Sequence, residues 1–193
     1  AVAPSGRQFL SLCGIELLHR HVVNCSRNLL ASGCTTIPLA TIPGGTSPAA
    51  AAGHDFACHK HGRQIDLLCG SSVRMLKTAI ERNDPTERTD FSAVFFLDAH
   101  FPGEHDDEWE PCDGQCPLLE ELKIILGYDW KVPPVLVLDD ANQLEDWWWD
   151  KYGSGFPKLR RDQWPTSKAV YDLLCPAGFT MLLNRGMLYA WKE

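Results

Sequence analysis

Residues 92–98 read Ser-Ala-Val-Phe-Phe-Leu-Asp, and residues 134–139 read Pro-Val-Leu-Val-Leu-Asp. Each is an almost unbroken apolar run ending on an acid, the pattern of a strand buried on both faces. Strands of that kind belong to a largely parallel sheet covered by helices, so these two stretches set the fold class as α/β. Between them, PLLEELKIIL at residues 117–126 carries apolar residues at helical spacing. Its proline in the first turn and its early acids suit a helix start.

Working outward from that centre, Gln64–Cys69 (QIDLLC) reads as a short buried strand. Ser71 or Ser72 is a natural N-cap for a following helix that carries Val73, Leu76 and Ile80. On the C-terminal side, Ser167–Leu174 forms another helix, closed by Pro176 and Gly178. Phe179–Leu183 and Met187–Trp191 flank Asn184-Arg185-Gly186, the signature of a β-hairpin. Near the start, Leu10–Ile15 suits a short strand and Glu16–Leu30 a helix, with Leu17, Leu18, Val22, Val23, Leu29 and Leu30 on it. The stretch Thr35–Ala57 is rich in Pro, Gly, Ala, Thr and Ser and has no sustained period, so it reads as a long, flexible insertion. The alternation of strands and helices predicts one domain over residues 1–193, with a mostly parallel sheet, right-handed crossovers and a closing antiparallel hairpin.

Composition narrows the class. The chain has 193 residues, 45% hydrophobic and 22% charged, enough to bury a substantial core. No apolar run approaches the ~20 residues that span a bilayer. Ala1–Leu12 lacks the pattern of a secretory signal, so a cytoplasmic protein away from membranes is expected. A net charge of −7 with scattered cations argues against nucleic acid as a partner. Lys158, Arg160 and Arg161 cluster, and a solvated loop accounts for them. The eight cysteines are expected as reduced thiols, ahead of a Cys112–Cys116 link or a zinc site drawing on Cys58, His59 and His61.

The chemistry concentrates where the central strands end, since open α/β sheets bind ligands beyond their carboxyl edge. One strand ends in Asp98-Ala99-His100 and the other in Asp139-Asp140. On adjacent strands these would bring three carboxylates and an imidazole together. Close carboxylates repel unless a cation or protons compensate, and magnesium is the hard ion suited to such oxygen ligands. His100 is also a candidate general base near neutral pH. The acidic loop with His105, Asp106, Asp107, Glu108 and Glu110 reads as solvated. Trp147, Trp148 and Trp149 offer an aromatic wall, although three consecutive residues cannot all face one way on a helix.

The strings FFLDAHFPG, CPLLEELKIIL and PVLVLDDANQLE, in that order, resemble the class I S-adenosylmethionine-dependent methyltransferase superfamily in its metal-dependent O-methyltransferase-like branch. QIDLLCGSSVRMLKTAI and the closing FTMLLNRGMLYAW extend the resemblance to about two thirds of the chain. It implies a Rossmann-like sheet flanked by helices and S-adenosylmethionine as cofactor, with Mg2+ as a further one. It implies Glu16 on the cofactor ribose, and Gly70, Ser71 and Ser72 near the adenine. Asp98, Asp139 and Asp140 would be metal ligands, with Asp98 close to the methyl donor and acceptor, where His100 is the candidate base. The acceptor would be a hydroxyl of a small molecule such as a sugar or secondary metabolite, in a protein able to form a homo-oligomer. The superfamily's first strand and glycine-rich turn are not found in residues 1–14, which read as atypical or truncated. Two other readings compete. Asp98-Ala99-His100 also occurs in binuclear hydrolases of the arginase type, whose further acids this chain lacks, having Pro102 in one such place. A non-catalytic α/β module using its Trp-rich surface is the alternative from a different class.

Overall fold

The computed structural model describes residues 11–16, 35–38, 56–60, 63–69, 71–83, 93–98 and 115–193. The chain divides into two compact units, residues 1–75 and 76–193. The first holds β1 (Ser11–Glu16), β2 (Thr35–Pro38), β3 (Phe56–Lys60) and β4 (Arg63–Cys69). Their order is β1-β4-β3-β2, with β1 and β4 parallel and the other two pairings antiparallel. The stretch Thr35–Ala57 therefore differs from its reading as one loop. Its first four residues form β2, and Phe56 and Ala57 open β3 against it. Thr35, Thr36 and Ile37 are β-branched and pair with a distant partner in spite of the Pro- and Gly-rich context, and Pro38 is accommodated because β2 is the edge strand among those described.

Helix α1 (Ser72–Asn83) contains the boundary between the units. The second unit continues with β5 (Val94–Leu97), α2 (Leu118–Leu126), β6 (Val135–Leu138), α3 (Asp146–Tyr152), α4 (Ser167–Leu174), β7 (Thr180–Asn184) and β8 (Met187–Trp191). Its sheet runs β5-β6-β8-β7, with β5 and β6 parallel, β8 antiparallel to β6 and β7 antiparallel to β8. The architecture is α/β with mixed four-stranded sheets, one parallel pairing and two antiparallel pairings in each. The expected hairpin is present, with β8 at its expected bounds, while β7 is shifted by one residue so that Asn184 belongs to the strand and only Arg185 and Gly186 form the turn. Arg185 and Gly186 both have positive φ, 51° and 85°, the geometry of a two-residue type I′ turn that matches strand twist.

The core lies on one face of this second sheet. Register aligns Phe95 and Leu97 with Leu136 and Leu138, and these with Ala190 and Leu188. Leu136, Leu138 and Ala190 are fully buried, as are Leu122 and Ile125 of α2 and Val170 and Leu174 of α4. Phe95 meets Trp130 edge-to-face at 5.5 Å between ring centroids. Helix α4 is started by Thr166, whose side-chain oxygen accepts the Ala169 amide at 3.1 Å. The opposite face carries Val94, Phe96 and Leu182, which are 51%, 56% and 53% exposed. So β5 is not covered on both sides as its unbroken apolar run suggests. A continuous apolar run cannot reveal how many layers it receives. No helix among the described residues is long and apolar enough to cross a membrane.

Candidate functional site

Because β5 and β6 are adjacent and parallel with Leu97 opposite Leu138, the next residue of each strand leaves the sheet at the same edge. Those residues are Asp98 and Asp139. The ladder runs one step past the strands, since the Asp139 amide donates to the Leu97 carbonyl at 3.0 Å. The Asp139 carboxylate then accepts the amide of Asp140 at 2.8 Å. Asp140 takes a left-handed conformation, φ 48°, which a short polar side chain tolerates. It leads into a 3-10 turn at Ala141–Leu144.

The far side of this acidic loop is held by the β7-β8 turn. The Ala141 amide donates to the Gly186 carbonyl at 2.6 Å. Gly186 suits its positive φ of 85°, and a Cβ there would also stand 3.0 Å from Nδ2 of Asn142, a close contact that the Asn142 side chain would have to relieve. Asp139 is half-buried, while Asp98 and Asp140 are exposed. Asp98 and Asp139 are thus neighbours at one strand edge, and Asp140 turns away from the sheet direction. No group of three His, Cys, Asp or Glu able to hold a metal ion occurs among the described residues, these three acids included. His100 lies outside the described residues, as do His105 to Glu110.

In the first unit, β1 and β4 repeat the same device. They are parallel, and Glu16 at the end of β1 is opposite Cys69 at the end of β4. Glu16 and Cys69 therefore sit at one carboxyl edge. Gly70 lies outside the described residues. Ser71 is buried and caps α1. Its hydroxyl oxygen accepts the Arg74 amide at a long 3.4 Å, and its carbonyl accepts the Met75 amide at 2.9 Å. Ser72 is the first residue of that helix.

The tryptophan run divides by role. Trp147 is 51% exposed. Trp148 stacks on Phe156 at 5.7 Å and 24°, and meets Tyr152 at 5.7 Å. Trp149 turns inward, donating its indole N–H to the Gln143 carbonyl at 2.7 Å and meeting buried Trp164 at 5.7 Å. Exposed Tyr152 and Phe156 complete an aromatic rim.

Two residues that the sequence reading did not single out for a role hold this region. The Arg161 guanidinium lies 5.8 Å over the Trp149 ring, pairs with Asp146 at 2.9 Å and donates to the Trp164 and Pro165 carbonyls. Gln115 is buried, and its amide bonds both the Lys158 carbonyl, at 2.7 Å, and the Arg160 N–H, at 2.6 Å. Of the basic cluster, Arg160 is paired with Asp162 and Arg161 with Asp146. Only the buried Gln would signal such a support in sequence, and burial is not readable from an isolated polar residue. Cys116 and Cys175 carry free thiols, and Cys112 lies outside the described residues. Comparison with known protein families, with characterised proteins and with solved structures finds no match.

Proposed function

We propose that the chain performs S-adenosylmethionine-dependent methyl transfer to a hydroxyl of a small cytoplasmic molecule, such as a sugar or secondary metabolite, on a Rossmann-like scaffold. The observation that carries this reading is the parallel pairing of β5 and β6, which sends Asp98 and Asp139 out of the sheet side by side. That is the edge at which open α/β sheets bind their ligands. Glu16, ending β1 beside the end of β4, supports a ribose contact by the same rule, and Gly70, Ser71 and Ser72, next in sequence after β4, are the proposed adenine contacts.

S-adenosylmethionine supplies a methyl group made electrophilic by its sulfonium. An acceptor hydroxyl becomes a nucleophile as its proton leaves, and the Asp98 or Asp139 carboxylate takes that proton, with His100 as the other candidate base. The Asp139 carboxylate is already oriented by the Asp140 amide, so little ordering is left to substrate binding. Aspartates are the right donors for magnesium in kind. Asp98, Asp139 and Asp140 do not gather into an ion-holding group, however, and no step is assigned to a metal.

Calorimetric titration of S-adenosylmethionine into the protein, with and without magnesium, tests the proposal. Binding in the micromolar range is expected in both arms. Heat that appears only with magnesium would restore the metal to the site. No binding in either arm would sink the methyltransferase reading. The exposed rim of Trp147, Tyr152 and Phe156 favours a second reading, a non-catalytic module that binds a partner there. Asp139→Asn separates the two, since it abolishes transfer in the first and leaves partner binding intact in the second.

A further inference from the structure

Strand β7 lies at the end of the second unit's sheet, and among the described strands it has a neighbour on one side only. Its sequence, Thr-Met-Leu-Leu-Asn, contains no charge and no proline. Proteins ordinarily blunt such edges with lysine, proline or a bulge, because an open edge is a template for another strand. Here the edge instead shows Leu182 on one face of the sheet and Leu183 on the other, 53% and 48% exposed.

The hairpin fixes which backbone groups face outward. A two-residue turn is closed by a hydrogen-bonded pair, Asn184 with Met187, and the antiparallel ladder alternates from there. Leu182 and Thr180 thus spend their amides and carbonyls on β8. Met181 and Leu183 direct theirs away from the sheet. These two residues are symmetric about Leu182.

We infer that β7 pairs antiparallel with β7 of a second copy of this chain, about a two-fold axis at Leu182, to give a continuous eight-stranded sheet. In that register Met181 exchanges both of its hydrogen bonds with the partner's Leu183, and Leu183 does so with the partner's Met181. The four outward-facing groups of each strand are satisfied without a slip. Leu182 opposes the partner's Leu182 in a close, non-hydrogen-bonded pair, and Thr180 opposes the partner's Asn184. Apolar meets apolar and polar meets polar along the strand, which is the self-complementarity that a two-fold interface requires. A heterologous partner strand would need no such symmetry.

Sedimentation velocity on the whole chain, from about 1 to 200 µM, should show a species of twice the monomer mass that grows with concentration. Leu182→Lys sets two cations face to face at the axis and should return the chain to monomer, with an unchanged circular dichroism spectrum because the residue is exposed. Leu182→Glu should do the same alone. Mixing the two variants should restore the dimer through the opposed charges. In hydrogen exchange, the Met181 and Leu183 amides should lose protection on dilution. A wild-type chain that stays monomeric throughout overturns the proposal. So does a dimer that survives both substitutions, which would place the contact elsewhere.

Discussion

Cys116 stands just before α2, beside the buried Glu121, and its chemistry follows from that position. Burial pushes its thiol pKa up to about 12, and the charge of Glu121 adds to the rise. At neutral pH the folded and unfolded chains both keep the proton. Above the ordinary thiol pKa the unfolded chain releases it while the folded chain does not. Stability therefore falls as pH rises from there toward about 12. Urea unfolding at about pH 8 and pH 10 should show that loss, and Cys116→Ala should reduce it. A slope unchanged by the substitution would assign the alkaline loss to other groups. Alkylation mapped by mass spectrometry should mark the exposed Cys175 well before Cys116, since thiolates are the reactive form. At this scale the sequence is legible in part. The acids ending each strand stand out by position, whereas the roles of Gln115 and Arg161 come from contacts with residues far along the chain.

Among the elements, the β7-β8 hairpin is the most completely written in its own residues. Asn184-Arg185-Gly186 between two apolar runs suffices, because the turn is local and its φ angles demand glycine at one place. The same turn supports the acidic loop through the Ala141–Gly186 bond. Gly186→Ala should cost about 1–2 kcal/mol from its positive φ alone, with the Asn142 contact adding to it. Chemical denaturation of Gly186→Ala and of the double variant with Asn142→Ala separates the two contributions. If the double variant recovers nothing, the Asn142 contact carries no cost. The helices α2 and α4 are legible for the same local reason, being periodic and provided with starts. Strands β2 and β3 are not. Thr35–Pro38 is too short, and too closely flanked by Pro, Gly and Ala, for its three β-branched residues to stand out, and its place is set by a partner about 20 residues away in the chain.

For the whole molecule, adjacency of strands is the information that a linear reading lacks. Alternation of strands and helices favours parallel neighbours, and each unit has one such pair, β1 with β4 and β5 with β6. Both β5 and β6 run into an acid at the carboxyl edge, and β1 ends on Glu16 opposite Cys69, which makes the candidate sites readable once adjacency is known. The remaining ladders are antiparallel, and nothing in the periodicity of an apolar run states the direction of its neighbour. The uncovered face with Val94 and Phe96 has the same origin, since a strand's composition records the polarity of its surroundings and not their arrangement.

Gln115 has a consequence of a polymer kind. By joining its amide to the backbone at Lys158 and Arg160, it closes a ring between positions 43 apart in the chain with no covalent bond. Closing a ring of that size costs only slowly more entropy than closing a short one, so one well-satisfied amide is enough to hold it. The amide presents a donor and an acceptor in the order of a peptide unit, and its isostere does not. Gln115→Glu would turn a donor toward the Lys158 carbonyl into a second acceptor, and the ring would close only when the acid is protonated. Proteolysis between residues 116 and 158 should then become faster at neutral pH than at acid pH for that variant, relative to the parent chain, and a parent-like rate at both would mean that other contacts close the ring.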